Sequence, residues 1–254
     1  MPLITTEALV LRTYKLGEAD RIVVFLTRDR GKKRGVAAGA RRMRSRFGGA
    51  LEPLTRVGVT YFEREGRDLV SLNYAEPLGS PLWSSRGDAL GHTGYFAELI
   101  DEWAQESDPN ETLFRLGSSV MDAMVAGVAI EPLARYFEYW LLRLQGVYPS
   151  LAACGLCGGR LPAEGDPVAV LMPGERDYQC PGCARVVSRA VPLSGGALAF
   201  LRAAGAVAPG RLDGVAVTDL ALQELERAHR ALMATHLEKE LKSTRVLRDL
   251  RGHA

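Results

Sequence analysis

Residues 8–47 read ALVLRTYKLGEADRIVVFLTRDRGKKRGVAAGARRMRSRF, and two patterns run through them. The first is strand-like. ALVLRTY (8–14) and RIVVFLT (21–27) are rich in β-branched and aromatic residues, and KLGEAD between them suits a hairpin turn. Arg28-Asp29-Arg30-Gly31 reads as a second turn, and RGVAA (34–38) as a third strand. Downstream, VGVTYF (57–62) and LVSLNYA (69–75) flank Glu65-Gly66, a further hairpin signal. Five short strands in this span predict a small closed barrel.

The second pattern is charge. Between Arg28 and Arg46 lie Arg30, Lys32, Lys33, Arg34, Arg41, Arg42 and Arg44 as well, against Asp29 as the single acid. The whole chain of 254 residues carries a net charge of only +2. Residues 1–80, however, hold 15 Lys/Arg and 9 Asp/Glu, while the remainder is net acidic. A basic N-terminal module that meets an anionic partner follows from this asymmetry. Gly31, Gly35 and Gly39 admit tight turns, so the segment can offer both cations and backbone N–H groups to phosphates. Among five-stranded barrels the OB-fold repeatedly binds single strands, and an SH3-like barrel would show the same pattern. Tyr14, Phe25, Phe47, Tyr61, Phe62 and Tyr74 are aromatics for the core or for base stacking. Phe47, inside RMRSRFGG, stands apart from any apolar run and is a candidate to stack on a base or to anchor the loop.

After Pro77 and Pro81 the apolar period changes to that of helices. Leu90, Tyr95, Phe96, Leu99 and Trp103 mark one helix. Asp108-Pro109-Asn110-Glu111 reads as the capped start of a second, with Pro109 in its first position. Leu133, Tyr136, Phe137, Trp140, Leu141 and Leu144 define a third, and ALAFLRAA (197–204) a fourth. The longest helix is expected from about Asp219 to Arg245. It carries His229 and His236 near its apolar stripe, too far apart to share one ion. Near the end, Lys239, Lys242, Arg245, Arg248 and Arg251 recur every three residues, a candidate second phosphate-contacting stripe.

The only cysteines are Cys154, Cys157, Cys180 and Cys183, in two C-x-x-C pairs 22 residues apart. Two such turns supply four thiolates to one tetrahedral ion, the geometry zinc prefers. The gap is longer than the roughly 15–20 residues of an ordinary ribbon, so a longer hairpin is expected between the pairs. A closed four-sulfur site leaves no position for substrate, which points to a structural Zn2+. Disulfides, a redox dithiol and an iron–sulfur cluster are the competing readings. The opening MPLITTEALVLR lacks the order of a signal peptide, and no uncharged apolar run is long enough to span a membrane. A cytoplasmic, nucleoid-associated protein is therefore expected.

No P-loop, dinucleotide-binding glycine motif or nucleophile elbow is present, so a binder rather than an enzyme is expected. The rival classes are a zinc-containing scaffold that docks acidic partners and a dithiol redox enzyme. The expected architecture is α+β. It comprises an OB-fold over 1–80, a helical domain over 81–153 and 188–254, and a four-cysteine zinc module over 154–187 inserted in it.

Several separate segments, in order, resemble the RecO family of bacterial DNA repair proteins. They include GEADRIV (17–23), GARRMRSRFGGALEPL (39–54), RYFEYWLLRLQGVYPSLAACGLCG (135–158) and THLEKELKSTR (235–245). The resemblance implies an OB-fold, a helical domain and a zinc module, the cysteines matching members that keep all four ligands. It implies binding of single- and double-stranded DNA and annealing of complementary strands. It also implies work with RecR to load RecA on DNA coated with single-stranded DNA-binding protein (SSB). The matching basic residues are Lys32, Lys33, Arg34, Arg41, Arg42, Arg44 and Arg46. Phe47, Lys242 and Arg245 are further nucleic-acid candidates, and Arg135 and Arg143 are candidates for docking the acidic SSB tail.

Overall fold

A computed structural model describes residues 2–64, 66–84, 87–162, 167–185, 190–237 and 241–251. Contacts gather the chain into two units, Met1–Gly127 with Leu241–Ala254, and Val128–Glu240.

In the first unit, β1 (Leu3–Leu16), β2 (Asp20–Thr27), β3 (Lys32–Ala37), β4 (Arg56–Phe62) and β5 (Leu69–Gly79) form a closed barrel in the order β1-β2-β3-β5-β4. Neighbours are antiparallel except β3 and β5, which run parallel and complete the closure. This is the OB-like arrangement that the strand pattern predicts, although β1 and β5 are much longer than their sequence signals. β1 pairs with β4 along its first half and β2 along its second. A bulge between Val10 and Arg12 lets the strand bend from one neighbour to the other. Ala8, Val10, Phe25, Val57, Val59 and Tyr61 fill the interior, with Phe25 and Tyr61 edge to face at 5.8 Å.

Three helices belong with this barrel, α1 (Gly87–Trp103), α2 (Glu111–Val125) and α6 (Lys242–Arg251). Phe96, Leu99 and Ile100 on α1 are fully buried, as the sequence period requires. Leu9 of β1 is buried too, but on the helical side, where it touches the position a Cβ at Gly117 would take. The start of α2 differs from expectation. Asn110 is the N-cap, its Oδ1 accepting the Leu113 N–H at 3.0 Å, and Pro109 stands before the helix. Asp108 is committed elsewhere, since its backbone lies directly against Gly31.

The second unit holds α3 (Ile130–Leu144), α4 (Gly195–Ala204), α5 (Asp219–Ala234) and a small antiparallel sheet of β6 (Ala169–Met172), β7 (Asp177–Gln179) and β8 (Val191–Leu193), ordered β7-β6-β8. A buried polar ladder runs through it. Arg135 pairs with Glu138 at 3.0 Å, and Glu138 accepts from His229 Nδ1 at 2.9 Å. His229 Nε2 lies 3.1 Å from the Tyr148 hydroxyl, which in turn accepts from the Tyr178 hydroxyl at 3.1 Å. Burial holds His229 below its ordinary pKa despite Glu138, so the ring is neutral at pH 7. A neutral ring that donates from Nδ1 must accept at Nε2, which gives every member of the ladder a consistent donor or acceptor.

The long C-terminal helix expected from Asp219 to Arg245 is two helices. α5 ends at Ala234, where the Thr235 hydroxyl donates to the Leu232 carbonyl. α6 starts afresh at Lys242, with Leu241 and Leu247 buried. The N–H groups of Lys242 and Ser243 donate to the Glu98 carboxylate at 3.2 and 2.8 Å. In a continuous helix those N–H groups would be spent on carbonyls four residues back; here they are first-turn donors that Glu98 satisfies.

Burial alone would raise the Glu98 pKa, but the hydrogen bonds from Ser243 and Lys242, with Arg12 nearby, hold it below the usual carboxylate range. A carboxylate lowered in the folded state stabilises fully above its unfolded pKa and loses that contribution as pH falls through its folded one. The protection factors of the α6 amides, exchange rates taken relative to the intrinsic rate at each pH, are therefore expected to fall on acidification below about pH 5, and Glu98→Gln should blunt that dependence. Gly31 has φ of +69°, and a Cβ there would overlap the Asp108 backbone. Gly31→Ala is expected to destabilise by at least about 2 kcal/mol in denaturant unfolding.

Candidate functional site

The basic segment after β3 is a series of turns that the barrel grips at both ends. At its start, the Gly39 N–H donates to Asp20 Oδ1 at 2.8 Å, and the Arg41 N–H to the Ala19 carbonyl at 2.9 Å. Arg41 Nη1 also reaches the Gly17 carbonyl at 2.9 Å. The turn between β1 and β2 thus holds the loop. At its end Phe47 is 2% exposed and sits in the barrel core with Ala50 and Leu51. The Arg46 guanidinium lies 5.1 Å above the Phe47 ring. Phe47 is therefore an anchor: its ring is inside the barrel and has no open face for a base.

Between these fixed ends Arg42 and Arg44 are exposed, as are Arg41, Arg46 and, on β3, Arg34. Arg34, Arg42 and Arg44 make no ion pair among the described residues. Lys32 and Lys33 are different. Lys32 Nζ donates to the Asp101 carbonyl at 2.7 Å and lies 3.2 Å from its carboxylate, a partner it shares with Arg12. Lys33 Nζ pairs with Glu63 at 2.6 Å and also reaches Ser107 Oγ. Both side chains are largely covered, 15% and 11% exposed, and brace β3 within its unit. Paired in this way, both lysines are engaged within the chain, unlike Arg34, Arg42 and Arg44.

The aromatics sort in the same way. Phe25 and Tyr61 are core, whereas Tyr14 and Tyr74 remain 43% and 46% exposed. On α6, Lys242 and Arg245 are exposed. Lys239 and the side chains of Arg248 and Arg251 lie outside the described residues. The sequence reading passed over Arg64 and Arg67, which flank a groove on the outer face of the barrel. Only the Glu65-Gly66 turn signal hinted at them, because their neighbours on β3 arrive through barrel closure.

In the second unit, Arg135 is 3% exposed and held by Glu138 at 3.0 Å and Glu226 at 3.6 Å. A guanidinium buried this deeply completes the polar ladder and cannot dock a partner's tail, another correction. Arg143 is exposed; its Nη1 donates to the Tyr139 hydroxyl at 2.6 Å, and it stacks over Trp140 at 5.2 Å.

The four cysteines come together. The Sγ atoms of Cys154, Cys157, Cys180 and Cys183 all lie within 4.8 Å of one another. Four thiolates around one zinc at about 2.3 Å are separated by roughly 3.8 Å, so a small contraction seats the ion. Each pair occupies a tight turn: Gly158 N–H donates to the Cys154 carbonyl, and Cys183 N–H to that of Cys180. The expected hairpin between the pairs is β6 and β7, and the Gly155 N–H ties the first turn to β7 through the Tyr178 carbonyl. Hydrogen bonds from the Cys157, Cys180 and Leu156 N–H groups draw the Cys154 thiol down to about 6, against its burial. In the same cluster, hydrogen bonding with Cys180 and Cys157 pushes the Cys183 thiol up, so the sulfurs share protons that a soft cation would displace. The donor set fits a metal ion.

Among the described residues, no helix is long and apolar enough to cross a membrane. Residues 1–81 match the family model described as Recombination protein O N terminal, and residues 84–245 that described as Recombination protein O C terminal. A DNA repair protein RecO from Anaeromyxobacter sp. (strain K) is 37% identical over 246 residues, covering 95% of this chain and 94% of that protein. One from Geobacter metallireducens is 35% identical over 248 residues, covering 96% and 97%. One from Koribacter versatilis is 44% identical over 160 residues, covering 61% and 64%. With both halves matched and relatives aligned over nearly their whole length, the chain belongs to the RecO family of DNA repair and recombination proteins.

Proposed function

We propose that this protein is a non-enzymatic recombination mediator. It binds single- and double-stranded DNA through the exposed arginines of the barrel, anneals complementary strands and, with RecR, helps load RecA on SSB-coated single strands. The observation that carries the reading is the pinned loop with its outward Arg41, Arg42, Arg44 and Arg46, beside Arg34 on β3. Annealing requires that phosphate repulsion fall while base edges stay accessible. Arginines on a surface loop do this by touching the backbone without reading sequence. Tying the loop at both ends lowers the entropy lost when it meets a strand. Lys242 and Arg245 on α6 extend the cationic surface of the same unit. Arg143 is the remaining candidate for an acidic tail.

The ion in the cysteine cluster is, in this reading, one Zn2+ with a structural role. Cys154, Cys157, Cys180 and Cys183 hold it, and the ion cross-links the two turns to the β6–β7 hairpin. Cys180→Ser is expected to abolish stoichiometric metal and speed amide exchange in the turns and hairpin, while affinity for single strands stays within about twofold. Full metal retention in this variant, measured by elemental analysis, would contradict the four-sulfur site.

The DNA reading is tested by affinity against salt. For single strands the logarithmic slope is about −0.7 per phosphate contact, so roughly four or five contacts give about −3. Replacing Arg42 and Arg44 with Ala should flatten the slope by about 1.4. Lys32→Ala should lower stability and leave the slope unchanged. A slope near zero, or no binding at low salt, would sink the reading in favour of a protein-docking scaffold. Annealing of two SSB-coated complementary strands without nucleotide then tests the mediator step.

A further inference from the structure

The outer face of the barrel carries a groove that phosphate binding alone leaves unused. Along β3, Gly35 and Ala37 point inward, so Arg34 and Val36 share the outward face. The parallel register sets Arg34 opposite Leu69 and Val36 opposite Ser71. On β4, Tyr61 fills the core and Phe62 therefore faces out, opposite Ser71. Val36, Phe62, Leu69 and Ser71 thus lie at one seam. Arg64, Arg67 and Asp68, from the turn between β4 and β5, wall it into a groove of about 510 Å³.

The chemistry of this groove is divided. Its floor is apolar, with the half-buried Phe62 ring and the exposed Leu69 side chain. Cations stand at its margin, Arg67 on the wall and Arg34 two positions before Val36 on β3, opposite Leu69. Asp68 lines it as well, and a carboxylate there repels phosphate from the floor while accepting from an amino or imino N–H. The groove is also linked to the basic loop through the chain. β3 leads from Val36 straight into that loop, and the loop's Arg46 reaches the Leu72 carbonyl, next to Ser71.

We propose that this groove holds one unstacked nucleobase of a bound single strand, with the flanking phosphates on Arg34 and Arg67. The inference rests on the nucleic-acid reading above and deepens it. An apolar floor accepts any base face, while cations outside it catch the backbone, the combination that single-strand binding requires. A strand held in this way has one base parked while its remaining bases keep their edges free. An acidic peptide is the poorer occupant, because Asp68 would oppose its carboxylates.

The test compares an oligonucleotide with the same backbone made abasic, using the full chain and matched salt. The intact strand is expected to bind about tenfold more tightly, the scale of one base–aromatic contact. Phe62→Ala and, because Phe62 is half buried, the independent surface variant Leu69→Asp should both erase that preference. Arg42→Ala should weaken the two ligands equally. Equal binding of intact and abasic strands by the unmodified protein would overturn the groove and leave phosphate binding standing. Discrimination that survives both variants would overturn it too, since the base would be held elsewhere. Competition by a Glu/Asp-rich peptide that depends on Leu69, with no base preference, would assign the groove to a protein partner. Failure to bind either strand would remove the nucleic-acid reading itself.

Discussion

Closure of the barrel through the parallel pairing of β3 with β5 is the constraint on which the N-terminal unit depends. Gly35 stands at the centre of that pairing, opposite Val70, and a Cβ there would overlap the Leu72 side chain. Glycine costs entropy in a strand. Here its missing side chain lets β3 approach the core residues of β5 closely enough to hydrogen-bond. Once β3 is seated, its alternation sends Arg34 and Val36 outward, and the chain leaves the barrel where the first hairpin can hold the basic loop. Phe47 then re-enters the core and fixes the loop's far end. A cationic loop without these ties would cover a wide range of positions and lose more entropy on meeting a strand.

The same closure divides the cations by task. Lys32, Lys33 and Arg12 face acids on α1 or just beyond the end of β4 and hold the unit together. Partly buried pairs of this kind are screened less than exposed ones, and breaking one leaves a charge poorly solvated. Arg34, Arg42 and Arg44 have no such partner among the described residues and stand exposed. A stretch that looks uniformly basic is therefore structurally split, with Lys32 and Lys33 paired within the unit and the arginines of the loop exposed. Guanidinium groups suit phosphate by their planar forked donors.

In the C-terminal unit the cysteine cluster and the polar ladder meet at Tyr178. Its carbonyl holds the first cysteine turn and its hydroxyl begins the hydrogen-bonded path to His229 and Glu138. The Tyr178 and Tyr148 hydroxyls, the His229 ring and the Glu138 carboxylate each have a partner in this path, which is what makes such burial tolerable. The ladder gives a physical role to the histidine on the apolar stripe of α5: it satisfies Glu138 and Tyr148 in the core and takes no part in the metal set.

The strand alternation, the helical periods and the two C-x-x-C turns were legible because each depends on residues a few positions apart. Period, turn chemistry and thiolate spacing are local, and they sufficed for a five-stranded barrel, a helical region and a four-sulfur cluster. The break between α5 and α6 was not legible, since no glycine or proline marks it; it follows from Glu98 satisfying a new helix start 144 residues away. Nor was the burial of Phe47 and Arg135, or the groove at Phe62 and Leu69. Lys32 and Asp101 are 69 residues apart, so the same lysine reads in sequence as a free cation and in the fold as a brace. The sequence by itself determined the barrel strands, the helical periods and the four available thiol ligands. Tertiary structure alone decided which of those side chains face solvent, because exposure is set by partners that only chain closure brings near.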